Sequence, residues 1–299
     1  MYFKNLILIT FQYIWYSHMN NGMLNTAVHA ARLAGKIILN NFERKNFKVE
    51  EKNKNDLVTS VDHEVEQAIK NYILEKYPSH RFLGEEYGEQ TSSSPVVPQR
   101  SRDQISKSHD PNAEYLWIVD PIDGTTNFVQ GIPHVAVSIA LKINGRTELG
   151  VVYDPIRDEM FQALRGQGCE MNDRRLRVAD SKSLDGTIIA TSFPHRKREL
   201  VPYYTQILMR VFSECADIRR AGTASLDLAY VAAGRLDGYF ELGLGPWDLA
   251  AGELMVREAG GLVSDFDGNN KYEESGNIVC GNAKILRGLL ANIKAVKKA

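Results

Sequence analysis

Acidic residues set at the ends of apolar runs are the features of this sequence best suited to chemistry. The stretch Trp117-Ile118-Val119-Asp120-Pro121-Ile122-Asp123-Gly124-Thr125 drives an apolar strand into Asp120, and a proline and a glycine then predict a turn that returns Asp123 toward the same point. Within that turn the Ile122 carbonyl can supply a third hard oxygen, and the amides of Gly124 and Thr125 can point at an anion. Upstream, Phe82-Leu83-Gly84-Glu85-Glu86 places paired acids at the end of a short apolar run; downstream, Gly245-Pro246-Trp247-Asp248 leads into a helix. Taken singly, each has a structural reading: an Asp-Gly turn with Asp123 as a cap, an ordinary acidic turn, an N-cap at Asp248. Taken together, acids stand on three apolar element ends with no arginine partner close in sequence, and clustered carboxylates repel unless a cation lies between them.

Ligand hardness narrows the cation. The seven histidines form no His-x-x-x-His or His-Cys cluster, so a zinc site of nitrogen and sulfur ligands has no support. An all-oxygen site with open water positions suits Mg²⁺ or Mn²⁺, and magnesium sites of this kind usually hold a substrate phosphate.

These residues need elements to carry them. Leu24, Ala27, Val28, Ala31, Ala34, Ile38 and Phe42 recur at helical spacing and predict an amphipathic helix from Met23 to Phe42. Thr59 or Ser60 caps a second helix with Asp62 and Glu64 in its first turn, Val61, Val65, Ile69, Tyr72 and Ile73 facing inward, and Pro78 closing it. Strands follow at 116–119, 135–143 and 148–153, with Asn144-Gly145 marking a type I′ hairpin between the last two. Beyond these, strands near 187–191, 237–241, 262–266 and 277–280 alternate with helices near 199–214, 223–233, 248–258 and 282–296, which predicts a layered α/β architecture.

At 299 residues the chain can bury a large core without disulfides, and its three cysteines, odd in number and widely separated, suit reduced thiols in a cytoplasmic setting. Acids (37) and bases (36) nearly cancel, so net charge points to no nucleic-acid or acidic partner. Residues 1–18 are apolar and aromatic but too short to span a bilayer and lack the clean centre of a secretory signal, so no membrane association is expected. We read 1–22 as an extension outside the fold, with translation starting at Met19 or Met23, and 23–299 as one domain. Ser, Pro and charge at 91–112 predict an exposed insertion.

The segments GEE, DPIDGTTNF and PWDLAAGELMVREAGG, in that order, resemble the three metal-binding motifs of the inositol monophosphatase family. The similarity runs from about Met23 to the C-terminus, interrupted by the unusually long 91–112 segment. ECADIRRAGTASLDLAYVAAGRLDGYFELGLGPWD and NIVCGN are most similar to its bacterial extragenic-suppressor branch, SuhB. The resemblance implies an α/β/α/β/α sandwich of the inositol monophosphatase and fructose-1,6-bisphosphatase type, usually a homodimer. It implies Glu85, Asp120 and the Ile122 carbonyl as ligands of a first Mg²⁺, Asp120, Asp123 and Asp248 as ligands of a second, and a weaker third ion near Glu85. Thr125, supported by Asp56, is implied to orient the attacking water together with the Glu85 metal site. Substrate contacts are implied at Ile122, Asp123, Gly124, Thr125, Arg219, Gly222, Thr223, Ala224, Glu241 and Asp248. The implied activity is hydrolysis of a small phosphate monoester. Glu241 and Ala224 favour inositol monophosphate over the fructose bisphosphate, phosphoadenosine phosphate or histidinol phosphate cleaved by other relatives. The branch also implies a role in transcription antitermination and ribosomal RNA synthesis through NusA.

Overall fold

The computed structural model describes residues 2–45, 47–53, 56–90, 115–194 and 197–296, with backbone alone for 2–20 and residue 53. The segment 91–112 lies outside the described residues. The first helix, α1 (Tyr2–Arg44), is longer than its apolar period predicts and passes through the expected boundary at 22 without a break. After a short hairpin, β1 (Val49–Asn53) and β2 (Asp56–Thr59), comes α2 (Ser60–Lys76). Thr59 caps it with a capping box completed by Asp62.

Next come β3 (Arg81–Gly84), β4 (Gly88–Gln90), β5 (Tyr115–Asp123), the short α3 (Thr125–Gln130), β6 (Ala136–Ile143), β7 (Arg146–Asp154), β8 (Glu159–Leu164), β9 (Gly168–Met171) and β10 (Arg174–Arg175). They form an eight-stranded sheet in the order β10-β9-β8-β7-β6-β5-β3-β4. It is antiparallel throughout except where β3 runs parallel to β5. Asn144 and Gly145 both take positive φ between β6 and β7, as a type I′ turn requires.

The second half holds β11 (Ile188–Thr191), α4 (Val201–Phe212), β12 (Asp217–Arg219), α5 (Ala224–Ala232), β13 (Gly238–Glu241), α6 (Pro246–Glu258), β14 (Leu262–Ser264), α7 (Tyr272–Ser275), β15 (Ile278–Gly281) and α8 (Ala283–Lys294). Its five-stranded sheet has the order β12-β11-β13-β15-β14, in which β12, β11 and β13 are parallel.

Both faces of each sheet are apolar, so helices must cover both. Trp117, Val119, Val137 and Ile139 pack against α1 and α2, whereas Leu116, Ile118, Ala136 and Ala140 pack inward with α5 and α6. Ala190, Tyr239 and Cys280 of the second sheet meet the same two helices; Ile189, Phe240 and Val279 turn outward to α4 and α8. The result is five layers, α1α2/sheet/α5α6/sheet/α4α8. The middle layer lies very close to the first sheet: a Cβ on Gly150 of β7 would stand 2.8 Å from Ala251 of α6. No described helix is long and apolar enough to cross a membrane.

Candidate functional site

The end of β5 brings Asp120 and Asp123 together by a route the sequence does not announce. The strand does not turn at Pro121. It continues to Asp123 with one extra residue, Asp120 pairing with Ser138 and Asp123 with Ala136. In a regular strand, residues three apart face opposite sides; a bulge puts them on the same side. Both carboxylates therefore enter the α5α6 layer. There Asp123 accepts hydrogen bonds from the Ser225 amide (2.7 Å) and hydroxyl (2.6 Å) at the start of α5. Asp248 arrives on the first turn of α6, where it also accepts from the Gly245 amide (2.6 Å). It thus caps the helix as well as facing the other acids. Ser138 of β6 donates to the Trp247 carbonyl (3.1 Å), tying the helix start to the sheet.

Carboxylate oxygens of Asp120, Asp123 and Asp248 all lie within 4.8 Å of one another. Burial, with Glu85 and the other acids adding, holds Asp120 well above the usual carboxylate range; burial and then Asp248 raise Asp123 to about 7. The buried Asp120 Oδ1 has no hydrogen-bond partner. An orphaned carboxylate oxygen at the meeting point of three acids, with no histidine or cysteine among them, fits a hard divalent cation. Glu85 stands outside that trio. It lines the same cavity and lies 3.6 Å from Lys52, which makes a tighter pair with Glu86 at 2.5 Å. Burial works against the charge on Lys52, but Glu85 and Glu86 together raise its pKa.

The cavity encloses about 270 Å³. Of the residues expected at the site, Asp56, Glu85, Asp120, Ile122, Asp123, Gly124, Thr125, Gly222, Thr223, Ala224, Glu241 and Asp248 line it. Gly124, at φ +96°, sits so close that a Cβ would be 2.7 Å from Thr223 Oγ1. Asn127 bridges the carbonyls of His134 (2.9 Å) and Ala221 (3.0 Å), fixing this loop against the start of α5. Burial raises Glu241 to about 8, opposed by the hydrogen bond from the Tyr239 hydroxyl.

Two expectations are corrected. Thr125 is supported by Asp62, not Asp56: its hydroxyl donates to Asp62 Oδ1 at 3.1 Å. The capping box explains why, since Oδ2 folds back to the Thr59 amide (2.8 Å) and hydroxyl (2.6 Å) and leaves Oδ1 directed at Thr125. Arg219 does not reach the cavity. It pairs at the surface with Asp217, two residues earlier on the same face of β12. The next residue, Arg220, points the other way and lines the site. Sequence reasoning also missed Lys52 and Ser225, which carry no local pattern; for Asp62 the signal was present but absorbed by its capping role.

Comparison with known proteins agrees with this fold. "Nus factor SuhB" of Escherichia coli (strain K12) is 49% identical over 91% of this chain and 96% of its own length. That of Pseudomonas aeruginosa is 47% identical over 91% and 96%. The crystal structure of extragenic suppressor protein suhB from Bartonella henselae superposes with a TM-score of 0.81 at 41% identity, covering 91% of this chain and 98% of that one. Inositol monophosphatase from Anabaena (Nostoc) sp. PCC 7120 gives 0.77 at 32% identity, covering 93% and 97%. The sequence model of the inositol monophosphatase family matches residues 19–298. With motifs, layer order and match over nearly the whole chain in agreement, this protein belongs to the inositol monophosphatase family.

Proposed function

We propose that the chain is a Mg²⁺-dependent hydrolase of small phosphate monoesters, foremost inositol monophosphate. The observation that carries this reading is the convergence of Asp120, Asp123 and Asp248 around the unpartnered Asp120 Oδ1, beside the Thr125–Asp62 pair. Asp120, Asp123, Asp248, Glu85 and the Ile122 carbonyl would hold the cations, two or three Mg²⁺ with Mn²⁺ as a substitute. Bound there, they would supply activation of water, neutralisation of phosphate charge and stabilisation of the leaving oxygen.

The chain's own residues do the rest. Asp62, raised to about 6 by burial with the Thr59 hydrogen bonds and Lys52 opposing, accepts the hydrogen bond of the Thr125 hydroxyl. The Thr125 oxygen then presents lone pairs to a water and orients it for in-line attack. The positive N-terminal ends of α5 and α6 open on the cavity and favour an anionic phosphate. Glu241 accepts from a substrate hydroxyl, with Arg220 beside it at the rim. A volume of about 270 Å³ falls just below the range of drug-sized pockets and favours a small polyol phosphate. Phosphate release with Mg²⁺ over inositol 1-phosphate, glycerol 2-phosphate, fructose 1,6-bisphosphate, phosphoadenosine phosphate and histidinol phosphate tests the reading. Release from none of them overturns it.

The 49% identity to a Nus factor over 91% of the chain supports a second role: binding to NusA and the antitermination machinery in the cytoplasm, with the protein acting as a homodimer. An Asp120→Asn protein that no longer releases phosphate should still capture NusA. Loss of capture by the folded wild-type protein would remove this role.

A further inference from the structure

Helix α2 carries a second carboxylate one turn beyond Asp62. Residues four apart share a helix face, so Glu66 follows Asp62 and Lys70 follows Glu66 along one buried side of α2. Asp62 receives Thr125. Glu66 receives two successive backbone amides: Glu86 N donates to Oε2 at 2.7 Å and Tyr87 N to Oε1 at 3.0 Å. Those amides belong to the turn between β3 and β4, in which Glu85 is the first residue. The Glu66 carboxylate also fills the space above Gly84, where a Cβ would lie 2.0 Å from Oε1. Only glycine can precede Glu85 while Glu66 holds this place. One turn further, Lys70 donates to Gln90 at the end of β4, closing the far side of the same hairpin.

Glu66 is fully buried and uses both oxygens on this turn. Without it, two amides would be left without acceptors in a buried place, a state costly enough that the backbone would move to relieve it. Any such movement displaces Glu85, whose carboxylate lies 3.6 Å from the Lys52 ammonium. We propose that Glu66 is a positioning residue that fixes the backbone at 85–87, holds Glu85 toward Asp120, and so sets the affinity of the Glu85 part of the site for a divalent cation. This rests on the metal-dependent reading of the site. Glu66 does not touch substrate. It makes α2 a support for both halves of the chemistry, Thr125 through Asp62 and Glu85 through Glu66.

Calorimetric titration of the full-length wild-type, Glu66→Gln and Glu66→Asp proteins with Mg²⁺ alone tests this, alongside thermal melts without metal and phosphate release at saturating Mg²⁺. Glutamine offers one acceptor and turns an NH₂ toward the second amide; aspartate is too short to reach both. Outer partners of metal ligands typically change affinity by 10–100-fold. A rise in Kd for Mg²⁺ of roughly that size is expected for Glu66→Gln, with kcat recovered to within a few-fold when Mg²⁺ is saturating. A folded Glu66→Gln protein that binds Mg²⁺ as tightly as wild type overturns the proposal. If Glu66→Gln does not fold, Glu66→Asp is read the same way. Amide exchange in the wild-type protein is a further check: Glu86 and Tyr87 must be protected, and rapid exchange there overturns the clamp. Wild-type protein that binds Mg²⁺ but hydrolyses nothing would remove the hydrolase reading and leave the role of Glu66 standing; failure of wild type to bind Mg²⁺ would remove both.

Discussion

The Thr125 hydroxyl has one proton and two acceptors in reach, Asp62 Oδ1 and the Ile122 carbonyl, each at 3.1 Å. The Asp62 carboxylate, when ionised, is the stronger acceptor, and a hydroxyl hydrogen directed at it leaves the Thr125 lone pairs for water. Asp62→Asn keeps the shape of the side chain but removes that charge. A positioned base contributes about 10²–10⁴-fold, so kcat should fall by roughly two orders of magnitude or more. Asp56→Asn, at the edge of the same cavity, should change it only a few-fold. The reverse order in steady-state phosphate release would restore the Asp56 assignment. Glu241 separates binding from chemistry, because it lines the cavity yet stands outside the Asp120–Asp123–Asp248 cluster. Because burial raises Glu241 to about 8, its hydrogen bond near neutral pH is one to a mainly neutral carboxyl, worth about 0.5–1.5 kcal/mol, so Glu241→Gln should lower kcat/KM for inositol monophosphate by roughly two- to tenfold. Glycerol 2-phosphate should suffer much less. Equal losses on both, with a raised Mg²⁺ requirement, would place Glu241 in the metal site. These residues were legible to different degrees. Acids at the ends of apolar runs show in the sequence; Asp62 looked only like a helix cap, and Arg219 and Arg220 are adjacent arginines whose order on a strand face no composition reveals.

At the scale of elements, the site depends on how near α6 lies to the first sheet. Gly150 admits the backbone of Ala251, and Gly252 lets α6 close on Leu228 of the neighbouring α5, whose side chain would meet an added Cβ at 2.5 Å. These contacts set the height at which Asp248 enters above Asp120. Gly150→Val should push α6 outward. Overpacking of this kind costs about 1–3 kcal/mol, and the melting temperature should drop accordingly. Because Asp248 moves with the helix, Mg²⁺ affinity measured by calorimetry should drop as well. A destabilised Gly150→Val protein with unchanged Mg²⁺ affinity would show that Asp248 is placed by its own loop rather than by the helix. Helices α4, α5, α6 and α8, the capping box at Thr59 and the Asn144-Gly145 turn are all readable from periodicity and turn chemistry, whereas the single turn α7 is not. The β5 bulge is not: Pro121 and Gly124 signal a break in pattern equally well whether the chain turns or gains one residue, and the difference is set by pairing with β6. The strands β8 and β9 also escaped notice, since their buried positions are interrupted by polar residues at 162 and 170 that pair with each other across the sheet.

For the whole molecule, the middle of the protein is a store of displaced protons. Burial raises Asp62 to about 6, Asp123 to about 7, and Glu66 and Glu241 to about 8, while Asp120, Glu86 and Asp227 shift in the same direction. In an unfolded chain these carboxyls ionise near pH 4 to 4.5. Between about pH 4.5 and 8 the folded metal-free protein therefore holds protons that the unfolded chain has released. Stability changes with pH in proportion to protons bound unfolded minus protons bound folded, which is negative throughout that window. The metal-free protein should lose stability as pH rises from 5 to 8. A divalent cation acts in the opposite sense. Held by the folded cluster alone, it would stabilise the fold by RT ln(1 + [L]/Kd), and because it would need carboxylates without protons, its Kd should tighten as pH rises. The increase in melting temperature caused by a fixed Mg²⁺ concentration should thus be small at pH 5 and largest near pH 8. Melting curves with EDTA and with Mg²⁺ across this range provide the measurement. A metal-free melting temperature that rises through the window, or a Mg²⁺ increment that stays constant with pH, would mean that the buried acids are neutralised by groups other than protons and cations, and that the central cluster is a structural network rather than a metal centre.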